Sequence, residues 1–250
     1  MKLNDLQDLV IDLTPRPRVA REGWSRTAGY LVGGGLSSLI GQRLKKSAGN
    51  RKLGSLFSLG GRLLLGFSLF SGFSYRDPER DPLGSDPHFI YAPADGKIVE
   101  IARNVAEPKF IGGPACRITI ATNLLEVHIQ RSPIRGQVHY LFKEHGTSKA
   151  NYLGLISSGT GSEHRVLVVQ QINQASLFRL PKPLAENSSG SQQVWVGNKL
   201  ELAQQIGLAG FGQATLVSLY LPESPALDLV CKTGQHSEAG TTVVGRFKSF

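Results

Sequence analysis

Residues Leu53 to Phe73 read LGSLFSLGGRLLLGFSLFSGF, a run of 21 residues whose only charge is Arg62. As a helix this run is long enough to cross about 30 Å of hydrocarbon. A shorter apolar stretch, Tyr30 to Ile40 (YLVGGGLSSLI), precedes it. Arg62 opposes a free span, because a central arginine costs roughly 2.5 kcal/mol or more on insertion scales. Nine of the 21 residues are Gly or Ser, so a segment lying in the membrane interface competes with a true crossing, and a buried core helix is the third alternative. Neither stretch reads as a secretory signal, since Asp5, Asp8 and Asp12 stand where a basic n-region belongs.

Charge separates the possible partners. Before Tyr75 there are eleven Lys and Arg against four acids, a net of +7 out of +9 for the whole chain. Such an excess attracts a polyanion, either nucleic acid or the anionic face of a bilayer. The basic residues flank apolar segments and do not interleave with aromatics, which argues against nucleic acid and for an anionic phospholipid membrane. Arg43, Lys45, Lys46, Arg51 and Lys52 lie between the two stretches, placing that connection at the cytoplasmic surface. The expected location is therefore the cytoplasmic face of a membrane.

After Phe73 the texture changes. YRDPERDPLGSDP is charged and Pro-rich, a boundary that few helices or strands could cross. The expected division is 1–74, a basic and apolar membrane-associating region, and 75–250, a second domain. From Phe89 onward short alternating runs are broken by Gly, Pro, Asp and Asn: KIVEIARN, CRITIAT, EVHIQ, GQVHYLF, HRVLVVQQI, TLVSLYLP and TTVVGRF. That is strand punctuation. The fold class expected is α+β and β-rich, a sandwich or barrel-like domain behind an apolar helical segment. Two cysteines, Cys116 and Cys231, cannot make a disulfide framework or a zinc site by themselves, although one pair stays possible.

Several short motifs are ambiguous when taken singly. Asp95-Gly96 within APADGK reads first as a hairpin turn and second as a functional carboxylate. His128, in LEVHIQRSP, is a strand histidine of the ordinary kind or a base. Ser162-Glu163-His164-Arg165 opens a further strand, and Val230 to Val244 reads as two strands about a tight turn.

Taken in order, these motifs point further. Tyr75 to Arg80 (YRDPER), Ala92 to Lys97 (APADGK), Leu125 to Pro133 (LEVHIQRSP), Ser162 to Arg165 (SEHR), Gln171 to Ala175 (QINQA), Phe211-Gly212, Leu219 to Pro222 (LYLP) and the closing G-x-x-x-x-A-G-x-T-V follow one another at characteristic spacing. The series resembles the phosphatidylserine decarboxylase family from about Ser74 to the C-terminus. The resemblance implies a proenzyme in which a serine hydroxyl, activated by a histidine that an aspartate orients, attacks the preceding glycine carbonyl. The chain is then cut, and the serine remnant becomes a pyruvoyl cofactor. Asp95 and His128 occupy the positions of the catalytic aspartate and histidine. The implied function is decarboxylation of phosphatidylserine to phosphatidylethanolamine in phospholipid biosynthesis. The implied partner is a phosphatidylserine-like lipid, and the sequence leaves open whether the chain forms a homo-oligomer.

One departure falls on the cleavage point. Where the family carries Gly-Ser this chain reads Phe211-Gly212-Gln213-Ala214-Thr215-Leu216-Val217-Ser218. Counting forward from Gly197 puts Gln213 at the nucleophile position, whereas counting back from Tyr220 puts Thr215 there. An amide has no nucleophilic hydroxyl. Thr215 has one, and is the candidate third catalytic residue. Ser218 is three residues late, and Gly161-Ser162 and Gly190-Ser191 lie outside the expected strand context. The alternative implied is a degenerate member that keeps the fold and acts as a lipid-binding or regulatory protein.

Overall fold

The computed structural model describes residues 21–46, 50–82, 84, 86–123, 125–144, 149–157, 163–172, 194–208 and 215–248. The chain divides into two compact units, Met1–Pro78 and Glu79–Phe250. The division falls four residues past the expected 74/75 boundary. Tyr75 belongs to the helical unit, where its ring occupies the space beside Gly23 and its hydroxyl accepts a hydrogen bond from Arg26 at 2.7 Å.

In the first unit, α1 (Arg21–Lys45) and α2 (Arg51–Ser74) cover both apolar stretches. Contacts running from Gly23–Tyr75 through Thr27–Ser71 and Gly34–Gly61 to Gly41–Gly54 make the pair an antiparallel hairpin. Gly33, Gly34 and Gly35 lie inside α1, where each costs about 1 kcal/mol relative to Ala. Close backbone approach explains Gly34 and its opposite number: a Cβ on Gly34 would meet the Gly61 carbonyl, and one on Gly61 would meet Ser38 and the Gly34 carbonyl. Hydroxyls fill the remaining seam, with Ser68 donating to the Thr27 carbonyl at 2.9 Å and Ser37 to that of Phe57 at 2.9 Å.

This hairpin is apolar outside and small or polar within. The buried residues of α2 are Gly54, Ser58, Gly61, Ser68, Ser71 and Ser74. Leu56, Leu63, Phe67 and Leu69 are exposed, Leu69 to 79 %. A helix on a soluble core shows the reverse pattern, whereas small residues at a helix–helix seam with large apolar side chains outward suit packing in lipid. Among the described residues α2 alone is long and apolar enough to cross a membrane, and it is largely unburied.

The second unit is all strand among its described residues. Its main sheet has eight antiparallel strands: β2 (Gly96–Glu107), β3 (Gly113–Thr122), β5 (Gly136–Glu144), β6 (Lys149–Ser157), β7 (Arg165–Ile172), β8 (Lys199–Leu200), β10 (Thr215–Pro222) and β12 (His236–Ser237), in the order β12-β2-β3-β10-β7-β6-β5-β8. A three-stranded sheet, β1-β13-β11, joins β1 (Phe89–Tyr91), β13 (Val243–Phe247) and β11 (Leu227–Leu229), and β4 (Ile129–Arg131) pairs with β9 (Gln205–Leu208). Alternation explains the core: Val217, Leu219 and Leu221 of β10, Ile118 and Ile120 of β3, and Val166 and Val168 of β7 share one face. Ile90, Leu227, Val244 and Phe247 of the small sheet join the same cluster, so the two sheets enclose one core in the expected sandwich-like manner. Cys116 and Cys231 are both buried in it as free thiols, which closes the question of a disulfide.

Two local readings change. His128 lies one residue ahead of β4 and not within a strand. Asp95-Gly96 is no hairpin turn, because β1 pairs with β13 while β2 pairs with β3 and β12, and the bend between them carries the chain from one sheet to the other.

Candidate active site

Asp95 sits at the threshold of β2, and the residue after it must be glycine. Gly96 has φ +144°, and a Cβ there would strike the carbonyl of Ala121 on β3. The Asp95 side chain is buried. Arg80 donates to both carboxylate oxygens, Nη1 to Oδ1 at 2.5 Å and Nη2 to Oδ2 at 2.6 Å, and the Ala239 N–H donates to Oδ1 at 2.8 Å. Nη1 of Arg80 also reaches the Ala239 carbonyl at 3.1 Å. Ser237 donates to the carbonyls of Ala94 and Gly96, and the Gly240 N–H to that of Ala92. The C-terminal turn and Arg80 therefore fix the Ala92–Gly96 bend from two sides.

Next to this bend lies Thr122, the last residue of β3, whose hydroxyl donates to the Asp95 carbonyl at 2.8 Å. Its register partner on β10 is Thr215, the first residue of that strand, 1 % exposed and paired on its other side with Ile172. Asp95, Thr122 and Thr215 thus follow one another across one end of the main sheet. His128 approaches the same neighbourhood from the β3–β4 connection. The Tyr91 N–H donates to the Pro133 carbonyl and the Arg131 N–H to that of Pro93, so the two segments run antiparallel and Asp95 and His128 lie toward the same end of the pairing. His128 is 2 % exposed. The carboxylate of Asp95 faces a guanidinium and an amide N–H, which hold its two oxygens in place.

The remaining hydroxyl candidates sort by place. Ser218 lies mid-strand in β10, in register with Thr119 on one side and Val169 on the other, its hydroxyl 3.2 Å from that of Thr119. Cutting there would split a central strand of the sheet. Gly212, Gln213, Ala214, Ser162 and Ser191 lie outside the described residues. No group of three or more His, Cys, Asp or Glu suited to a metal occurs among the described residues.

The sequence places Arg80 within the YRDPER motif but assigns it no role, and it gives no signal for Thr122 or the Ala239 amide as parts of the site. Arg80 stands in a charged Pro-rich segment that resembles a solvated linker, and only its spacing from the APADGK motif hinted otherwise. The Ala239 amide carries no side-chain signal.

The family described as Phosphatidylserine decarboxylase matches residues 67–245. A phosphatidylserine decarboxylase proenzyme of Symbiobacterium thermophilum is 30 % identical over 243 residues, covering 92 % of this chain and 96 % of the relative. That of Carboxydothermus hydrogenoformans is 30 % identical over 233 residues, 88 % of this chain and 93 % of its own. That of Salinibacter ruber is 33 % identical over 193 residues, 74 % and 78 %. No solved structure matches significantly.

Proposed function

Because this chain belongs to the phosphatidylserine decarboxylase family, we propose that it holds a serine phospholipid at the Asp95 end of its main sheet, as a membrane-bound protein of phospholipid metabolism, and that it stays uncleaved. The observation that carries the reading is an Asp95 held by Arg80, with His128 toward the same end of the pairing, beside Gln213 and Thr215 where a serine belongs. A pyruvoyl group can only come from a residue whose side chain matches serine. Gln213 has no hydroxyl, Thr215 would leave an acyl group larger by one methyl, and Ser218 is locked in mid-strand. The residues present at this point of the chain do not fit formation of a pyruvoyl group.

In this reading Asp95 and Arg80 set a rigid polar wall, and His128 is the group able to exchange a proton with a ligand amine. The α1–α2 hairpin supplies membrane attachment. Its outward Leu and Phe side chains favour acyl chains, and Arg43, Lys45, Lys46, Arg51 and Lys52 favour anionic headgroups on the cytoplasmic side.

A second reading, an active decarboxylase that cuts itself before Thr215, draws on one observation: Thr215 opens β10 beside Thr122, which holds the Asp95 backbone. A cut there would leave the new terminus next to Asp95 and His128. Intact mass of the purified full-length protein under denaturing conditions separates the two. One species at 27.0 kDa supports the uncleaved reading. Two fragments meeting between Gly212 and Ser218 overturn it in favour of the enzyme. Salt-sensitive sedimentation with phosphatidylserine vesicles then tests the lipid half, and failure to bind at any salt concentration defeats it.

A further inference from the structure

We propose that the turn at residues 194–198 is a second lipid contact, in which Trp195 and Val196 enter the boundary between headgroups and acyl chains of an anionic bilayer. This rests on the membrane half of the reading above and concerns a different part of the chain. Trp195 is 59 % and Val196 62 % exposed, side by side at the tip of a turn.

The backbone of the turn is braced, which holds the Trp195 and Val196 positions at its tip. The Trp195 N–H donates to Oδ1 of Asn198 at 2.7 Å, the Asn198 N–H to the Trp195 carbonyl at 3.1 Å, and the Gly197 N–H to the Val138 carbonyl at 2.7 Å. The Val138 N–H returns a bond to Asn198, and Nε2 of Gln137 donates to the Gly197 carbonyl. Gly197 supplies the positive φ, +96°, that the reversal needs. On either side Val194 packs against the core and Leu200 is buried within it, so V-W-V-G-N-K-L reads as anchor, apolar tip, anchor.

A protein partner is disfavoured on area. A Trp side chain buries roughly 150–250 Å² and a narrow tip adds little more, against about 800 Å² per partner in a stable interface. A bilayer needs no such area. Trp is the residue favoured at the headgroup level, where its ring meets acyl chains and its indole N–H meets polar groups. Lys199, exposed at the exit of the turn, has the sign that complements an anionic lipid.

The chain contains two tryptophans, Trp24 and Trp195, so Trp24→Phe isolates the turn and Trp195→Phe isolates the hairpin in the full-length protein. The probe is vesicles of phosphatidylcholine with or without phosphatidylserine, prepared with plain or brominated acyl chains. Trp195 should emit at shorter wavelength and be quenched by bromine in phosphatidylserine vesicles, and Trp195→Ala should weaken partitioning about tenfold. A Trp195 signal that ignores vesicles while Trp24 responds overturns the proposal and leaves the membrane reading standing. If both are silent, both readings fail. A Trp195 already shielded from iodide in buffer is covered by protein, and that too overturns the proposal.

Discussion

One guanidinium, that of Arg80, holds both carboxylate oxygens of Asp95 inside the protein, with side chains 10 % and 4 % exposed. Removing one member of a buried pair strands the other, at roughly 3–5 kcal/mol. Arg80→Met should therefore lower stability by an amount near the bottom of that range, since the Ala239 N–H still serves Asp95. Arg80→Lys should fall between, because an ammonium cannot make the two-point fork. Urea unfolding checks both, and a partial recovery in Arg80→Met with Asp95→Asn would assign the loss to the pair.

His164 stacks on Phe247 with ring centres 3.8 Å apart. Burial, and next the neighbouring His88, hold its pKa below the ordinary 6.5. A histidine kept neutral in the fold adds stability that is fully present above pH 6.5 and is lost as pH falls through the lowered value. Unfolding midpoints should thus drop between pH 7.5 and pH 5, and His164→Phe, which preserves the ring stack, should show a shallower drop.

The seam of the hairpin distinguishes adjacent glycines. A Cβ on Gly60 meets nothing within 4 Å, whereas one on Gly61 meets the backbone of Ser38 and Gly34. Gly60→Ala should be neutral or stabilise α2 by up to about 1 kcal/mol, and Gly61→Ala should cost about 1–3 kcal/mol. Thermal melts of helical circular dichroism in detergent would read the contrast, and equal effects would contradict the close packing of α1 on α2.

Burial pushes the Cys116 thiol up to about 11 and raises that of Cys231 as well. Only the thiolate reacts. Both cysteines should resist iodoacetamide at pH 8 in the native protein and be alkylated once denaturant opens the core. Rapid native labelling of either would mean that the core opens locally, at Leu221 for Cys116 or at Val244 for Cys231.

Much of this protein is local and therefore legible along the chain. Period-two runs such as TLVSLYLP and CRITIAT become β10, at its expected limits, and β3, which begins three residues earlier at Gly113, because alternation itself creates one apolar and one wetter face. The apolar stretches become α1 and α2 for an equally local reason, their length and lack of charge. Very short strands, β8 and β12 of two residues each, leave no periodic trace, and β6 was hidden because KANYLGLIS mixes Gly, Asn and Tyr.

Asp95, His128 and Thr215 could be named from the chain as a set of motifs, and the mismatch at Gln213 could be read there too. Their arrangement could not. The bidentate hold of Arg80 on Asp95, the Ala239 amide behind it and the Thr122 bridge toward Thr215 join Asp95 to residues 15, 144 and 27 positions away. The hairpin divides in the same way. Gly, Ser, Leu and Phe in α2 are plain in the sequence, but which of them face α1 depends on the crossing of two helices. Hydrophobic period and charge act between neighbours along the chain, whereas ion pairs and glycine contacts form between segments that only the closed fold brings together.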